Sequence, residues 1–440
     1  MTKVAVENRI WNPQVEQGSR EWLKALQLKR AQRSIFLAYE HVPMYRRKLQ
    51  EKGIKPEDIR SLEDFQLLPL TEKIDLRDEY PFGLLAVPMK KIVRIHASSG
   101  TTGKPITAGY TKKDLEMWAE NVARIAYGAG VTDEDIAQVA FGYTLFTGAF
   151  GLHGGLEKIG AAIIPISSGN TQRQINTMKD FGTTVLVATP SYAMYMAEIA
   201  EEMGVIDQLN LRVGLFGAEG STEAMRRELE EKWNILVTEN YGLTEVLGPG
   251  VAGECIYKCG MHINEDHFYP EIIDPETGKV LEPGEIGELV ITTLTKEGQP
   301  TLRYRTRDIT RLLYEPCQCG RTLVRMEKVK GRSDDMLIIR GVNVFPSQIE
   351  TILLGEPGLG PHYEIVLTRK NHMDYMEVKT EVVDGSLLES FSALESLQMR
   401  VCRELKINLG IEVKVTLVSP NSLKRFEGKA KRVTDLREGI

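Results

Sequence analysis

No apolar run in this 440-residue chain approaches the roughly 20 residues that cross a bilayer, so no membrane-spanning helix is expected. The first residues, Met1-Thr-Lys-Val-Ala-Val-Glu7, hold no apolar stretch of the kind a secretory signal needs. Cysteine is scarce, five in all, too few for a disulfide framework in so long a chain. A cytoplasmic protein is expected. Positive charge is not in excess: 55 Lys and Arg against 61 Asp and Glu leave a net charge of −6. That balance gives no global pull toward nucleic acid or an anionic membrane, and neither is expected as a partner. Repeats, low-complexity tracts and Gly/Ser linkers are also missing, which excludes solenoids and beads on a string.

What is present suits a soluble globular protein, with 42% apolar and 26% charged residues and length enough for two or three domains. Residues 20–80 read as charged helices punctuated by Pro56 and Pro69. Thr111-Lys-Lys-Asp114 reads as a capping box. Leu115, Trp118, Val122 and Ile125 follow it at helical spacing until Gly128 and Gly130. Short apolar segments then alternate with helical ones. Segments 136–141, 161–166, 185–188, 213–216 and 235–237 predict strands, and 171–181, 192–203 and 222–233 predict the helices between them. This alternation predicts an α/β fold with a parallel sheet covered on both faces, binding its ligand at the carboxyl ends of the strands. Gly217-Ala-Glu219 and Tyr241 to Glu245 fall at such ends. From about residue 285 the pattern turns β-rich, and beyond Asp334 it reads as a small α+β unit. The expected domains are therefore 1–333 and 334–440.

The run Ala97-Ser-Ser-Gly-Thr-Thr-Gly-Lys-Pro105 gathers two glycines, four hydroxyls and a lysine after an apolar segment. Glycines let backbone N–H groups turn toward a polyphosphate, and hydroxyls and lysine add donors and charge. It is not a Walker A loop, because only two residues separate Gly100 from Gly103-Lys104 and Pro105 follows. Four more segments follow in order: Asn240-Tyr-Gly-Leu-Thr-Glu245, Tyr304-Arg-Thr-Arg-Asp308, Gly331-Arg-Ser-Asp-Asp-Met336 and Gly428-Lys-Ala-Lys-Arg432. With these five motifs the chain resembles the adenylate-forming superfamily. The strings His96 to Pro105 and Gly331 to Pro346 are similar to those of its phenylacetate–CoA ligase family.

The resemblance implies a large N-terminal domain, with parallel sheets and a β-rich subdomain, and a small mobile C-terminal domain. It implies an AMP-forming ligase that joins a carboxylate to AMP from ATP and then to the thiol of coenzyme A. Ser98, Ser99, Thr101, Thr102, Gly103 and Lys104 would surround the β- and γ-phosphates. Ile106 stands where many superfamily members carry a second lysine. Glu245 would bind Mg²⁺ and Thr244 would touch a phosphate. Asp308 would accept the ribose hydroxyls, although the nearby Arg303, Arg305 and Arg307 could also claim it. Gly217, Ala218, Glu219, Asn240, Tyr241 and Gly242 resemble the adenine side, and Arg332 would approach the ribose or phosphate. Lys429 matches the adenylation lysine, where a mobile cation would stabilise charge on the α-phosphate. Asp334 would be the hinge that swings this lysine away and brings Gly341, Val342 and Asn343 toward the thiol. Phe141, Tyr143, Phe146 and Gly148 would form an apolar slot for a small aromatic acid. A homodimer is a further expectation from the family.

Cys255-x₃-Cys259-x₂-His262 and Cys317-x-Cys319 have the donor types of a tetrahedral zinc site. Cysteine-bearing relatives point to Cys255, His262, Cys317 and Cys319 as a structural set, with Cys259 the rival for one place. Two other readings stay open: an adenylyltransferase of the same family that uses an acceptor other than coenzyme A, and a binding scaffold without activity.

Overall fold

The β/α alternation folds into the parallel half of a nine-stranded sheet in this computed structural model. It describes residues 6–98, 104–333, 337–339, 342–370, 373–427 and 429–437. Parallel strands lie side by side in the order Leu236–Leu243, Val213–Gly217, Val185–Ala188, Ile136–Val139 and Ala162–Ile164. Val185–Ala188 and Val213–Gly217 are buried at every position, as strands covered on both faces must be. The connecting helices Thr171–Phe181, Pro190–Glu202 and Glu223–Trp233 begin on Asn170, Thr189 and Thr222, whose side chains accept an N–H of the first turn. The capping box also forms. Thr111 and Asp114 exchange their hydrogen bonds at the start of helix Lys112–Gly128.

The sheet is not parallel throughout. A tight return after Leu243 adds antiparallel strands Gly248–Glu254, Met261–Ile263, Arg325–Met326 and Leu312–Leu313. So short a connection cannot make the crossover that a parallel neighbour requires. A second, antiparallel sheet joins Phe268–Ile273, Gly287–Thr293, Tyr304–Thr310 and Gly331–Arg332. The β-rich part thus begins near residue 248, earlier than the sequence pattern suggested.

Residues from 337 onward build a hydrophobic core of their own. It lies between helices Pro346–Gly355 and Phe391–Leu409 and a sheet ordered Lys414–Val418, Met373–Val382, Leu359–Lys370 and Val433–Asp435. The last of these strands was not foreseen. It runs parallel to Ile365–Leu367 and anchors the segment just after Lys429. Among the described residues no helix is long and apolar enough to cross a membrane.

Candidate active site

The motif residues Gly217 to Glu219 and Tyr241 to Glu245 lie at the carboxyl ends of parallel strands, where the helix macrodipoles and the free N–H groups of the following turns favour anions. Ser98 closes the first hairpin. Its backbone N–H donates to the Ile106 carbonyl at 2.8 Å, and its Oγ accepts the Ile106 N–H at 3.0 Å. Lys104 is exposed, with its ammonium 5.9 Å from the Tyr80 ring centre. Ser99, Thr101, Thr102 and Gly103 lie outside the described residues, as do Asp334 and Gly341. Ile106 is wholly buried, so the position of the missing second lysine faces the core.

Gly217 and Asn240 are paired across neighbouring strands, and a side chain at Gly217 would meet the Asn240 carbonyl at 2.6 Å. Ala218 follows in the left-handed region, with φ +70°, and turns the chain out of the sheet. Glu219 then uses both oxygens. One accepts the Ser191 N–H at 2.7 Å and the Ser191 hydroxyl, and the other accepts the Ala430 N–H at 2.9 Å. The exposed Lys429 is therefore held, through its neighbour, against the large domain.

Tyr241 donates its hydroxyl to Asp308 at 2.5 Å, and Arg332 stands 3.4 Å from the other Asp308 oxygen. Burial, reinforced by the Asp308 charge, pushes the Tyr241 hydroxyl well above its ordinary value. Arg303 and Arg305 are engaged by the buried Glu271 and Glu288, and Arg307 by Glu72 and Glu288. Gly242 packs so closely on the return strand that a side chain would collide with the Gly248 carbonyl. Thr244 and Glu245 are both buried, with the Thr244 hydroxyl 3.1 Å from that of Thr147.

Two lysines that the motifs do not contain stand beside Glu245. Lys73 approaches its carboxylate at 3.7 Å, from a segment bonded to the Asp308 strand through Thr71 and Arg303. Lys296 is fully buried, and burial pushes its ammonium down to about 8 against the opposing pull of Asp114 and Glu245. Neither was legible as a site residue, because single lysines outside a motif read as surface charge.

Cys255, His262, Cys317 and Cys319 are all buried, and their ligand atoms lie within 4.8 Å of one another. The Cys255 and Cys317 sulfurs are 3.8 Å apart, and the Cys319 sulfur is 3.3 Å from His262 Nε2. Two sulfurs bound tetrahedrally at ~2.3 Å from one zinc stand about 3.8 Å apart, so the donor set fits that ion in type and spacing. Hydrogen bonding by Cys255 and by His262 holds the Cys319 thiol well below its ordinary value. Cys259 is exposed, its sulfur turned to the Tyr257 carbonyl, and it stands outside the cluster.

Residues 26–295 match the family model of the AMP-binding enzymes, and residues 341–437 match that of the AMP-binding enzyme C-terminal domain. A phenylacetate–coenzyme A ligase of Thermus thermophilus is 48% identical over 444 residues, covering 98% of this chain and 100% of the relative. The chain belongs to the phenylacetate–CoA ligase family of AMP-binding enzymes. Among solved structures of this adenylate-forming class, a 2-hydroxyisobutyryl-CoA ligase in the postadenylation state, in complex with 2-HIB-AMP, superposes with a TM-score of 0.92. It is 30% identical and covers 98% of this chain and 93% of its own. The same ligase with CoA in the thioesterification state, at 31% identity and the same coverage, gives 0.73. The two neighbours are one protein in two states, and this chain superposes better on the postadenylation state.

The residues expected around the acyl group lie close together in part. Phe141 and Tyr143 are half-buried, and a side chain at Gly148 would touch the Phe141 ring at 3.6 Å. Tyr143 packs edge-on to Phe150 at 5.2 Å, and its hydroxyl is 3.0 Å from His153 Nδ1. Burial pushes that hydroxyl up to about 12. Phe150 and His153 were not singled out by the motif reading. Phe146 is 48% exposed. Val342 packs on the small-domain core, within the strand Val342–Val344 that also holds Asn343.

Proposed function

We propose that this enzyme is a phenylacetate–CoA ligase. A carboxylate oxygen of the aromatic acid attacks the α-phosphorus of ATP, the bond to pyrophosphate breaks, and an acyl-adenylate forms. The sulfur of coenzyme A then attacks the acyl carbon, AMP leaves with the electron pair of the C–O bond, and the thiol proton passes to solvent. The observation that carries this reading is the Ala430 N–H on Glu219, which docks the Lys429 segment at the strand ends that bear Tyr241, Thr244 and Glu245. Identity of 48% to the Thermus ligase across 98% of the chain supports the choice of substrate class.

In the first step Lys429 stabilises charge on the α-phosphate, and Ser98 to Lys104 hold the outer phosphates. Asp308, aligned by Tyr241 and Arg332, receives the ribose hydroxyls, and the 217–219 and 240–242 segments wall the adenine. Glu245 has the oxygen donors that Mg²⁺ prefers and would hold it beside Thr244; when bound, the ion neutralises triphosphate charge. Lys73 brings to this corner the cation that the buried Ile106 does not. Phe141, Tyr143 and Gly148, with Phe150, bound the slot for the aromatic ring. The domains divide at 333/334, with Asp334 as the hinge that brings Gly341 to Asn343 to the thiol side. Cys255, His262, Cys317 and Cys319 hold a structural zinc.

Pyrophosphate and AMP release, measured with phenylacetate, hydroxyphenylacetate, indoleacetate and benzoate with and without CoA, tests the reading. Acid-dependent pyrophosphate and CoA-dependent AMP turnover are expected. Lys429→Ala should slow pyrophosphate release by roughly 100-fold or more, as removal of a transition-state charge contact does. It should still turn over preformed acyl-adenylate with CoA. Turnover indifferent to CoA would instead mean adenylyl transfer to another acceptor.

A further inference from the structure

Lys296 is an expensive residue. A buried ammonium costs several kcal/mol of lost hydration unless its charge is compensated, and an apolar side chain would fill the same space without that cost. Its position explains the expense. The Lys296 ammonium donates to the Val246 carbonyl at 3.0 Å and lies 4.8 Å over the Tyr110 ring. Around it, Thr301 Oγ1 donates to the Glu245 carbonyl at 3.1 Å, Tyr110 to that of Leu247 at 2.5 Å, and Trp118 Nε1 to that of Pro249 at 2.6 Å. Four buried donors thus fix the carbonyls of one short segment, and that segment begins with Glu245. The donors themselves are held rigidly. Tyr110 and Trp118 stack at 4.9 Å, and Asp114 accepts the N–H groups of Glu297 and Gly298 at 2.8 and 2.9 Å, pinning the loop that carries Lys296.

Three of the four donors are neutral, which shows that neutral groups suffice to hold this backbone. Only the one on the carbonyl of Val246, the residue after Glu245, is a cation, and Glu245 and Asp114 are the carboxylates that its charge feels. We propose that Lys296 is a positioning residue of the adenylation step, fixing the carbonyl of Val246 next to the Glu245 carbonyl that Thr301 holds, and so the direction of the Glu245 carboxylate toward the nucleotide. The inference rests on the reading of Glu245 as the residue that holds the Mg²⁺ of the nucleotide.

Four full-length proteins test it: wild type, Lys296→Met, Thr301→Val and Glu245→Gln. For each, the melting temperature is read alone and with Mg²⁺ plus a non-hydrolysable ATP analogue. The Mg²⁺ dependence of pyrophosphate release, and AMP release from preformed acyl-adenylate with CoA, are measured beside it. Lys296→Met should melt within a few degrees of wild type or above it, because a buried charge has been removed. Its melting-temperature rise on adding Mg²⁺ and the analogue should shrink. Its half-saturating Mg²⁺ should rise about tenfold, the value of one hydrogen bond from a charged donor. AMP release from the preformed adenylate should stay within about twofold of wild type, since a group acting only in the first step leaves the second unchanged. Thr301→Val should shift the Mg²⁺ response the same way by less, and it carries the test alone if Lys296→Met does not fold. An unchanged Mg²⁺ response in both variants, or losses in both half-reactions that track a lowered melting temperature, overturns the proposal. If Glu245→Gln itself leaves the Mg²⁺ response unaltered, the metal reading of Glu245 has failed instead.

Discussion

Glu219 shows how far a residue's role depends on partners remote in sequence. The motif around it suggests the adenine side, yet its carboxylate is occupied by Ser191 on one oxygen and by Ala430, 211 positions away, on the other. Glu219→Ala should therefore act on the docking of Lys429. We expect the adenylation rate to fall about tenfold, as loss of a hydrogen bond to a charged group does, with little change in the KM for ATP. Pyrophosphate release under ATP saturation, compared with AMP release from preformed adenylate, checks this. A rise in the KM for ATP with an unchanged limiting rate would point back to an adenine contact. Asp308 is the opposite case. Its motif was legible, and the structure answers the competing claim of the arginines by pairing them with Glu271, Glu288 and Glu72.

At the scale of elements, the capping box at Thr111 was readable because a cap is a contact over three residues, whereas the caps at Asn170, Thr189 and Thr222 were not singled out. Helix Gly148–Ile159 was not read at all. Gly148, Gly151, Gly154 and Gly155 lower its helix propensity, and tertiary packing overrides that penalty. A side chain at Gly151 would stand 2.4 Å from Trp118, and one at Gly155 2.3 Å from Val122, so the glycines are what let the two helices meet. Gly155→Ala should cost ~1–3 kcal/mol by overpacking. Gly154→Ala, whose nearest neighbour would be Ala119 at 3.9 Å, should be neutral or stabilising by ~0.5–1 kcal/mol. Urea unfolding of the two variants side by side separates these outcomes.

At the scale of the molecule, the cysteine cluster ties distant parts of the chain together. Asn8 donates to the Cys319 carbonyl at 2.9 Å, and Arg321 reaches Glu16 at 2.6 Å, so the N-terminal segment hangs on the 317–321 loop. Metal analysis should find one zinc per chain. Cys317→Ser should lose it, lower the melting temperature and expose the segment before helix Arg20–His41 to protease. Ligase activity at low temperature should persist, because no ligand of the cluster belongs to the nucleotide site. A Cys317→Ser protein with unchanged metal content would rule the site out. The small domain is fastened by a second set of contacts. Glu198 of helix Pro190–Glu202 accepts from His362 at 2.6 Å and faces Arg425 at 3.4 Å, beside the Glu219–Ala430 bond. Both sets join segments that sequence places far apart.

The sequence by itself determined the order of the nucleotide motifs, the parallel strands and their helices, the capping box at Thr111 and the donor types of the cysteine cluster. All of these are set by residue type and short-range spacing, which the chain carries without folding. Only the tertiary structure decided that the sheet turns antiparallel after Leu243, and that Cys259 faces away while Cys255, Cys317, Cys319 and His262 converge. It alone brings Lys73 and Lys296 to Glu245 and Ala430 to Glu219. Those pairings are long-range, and burial and close packing select them from many that local sequence allows equally.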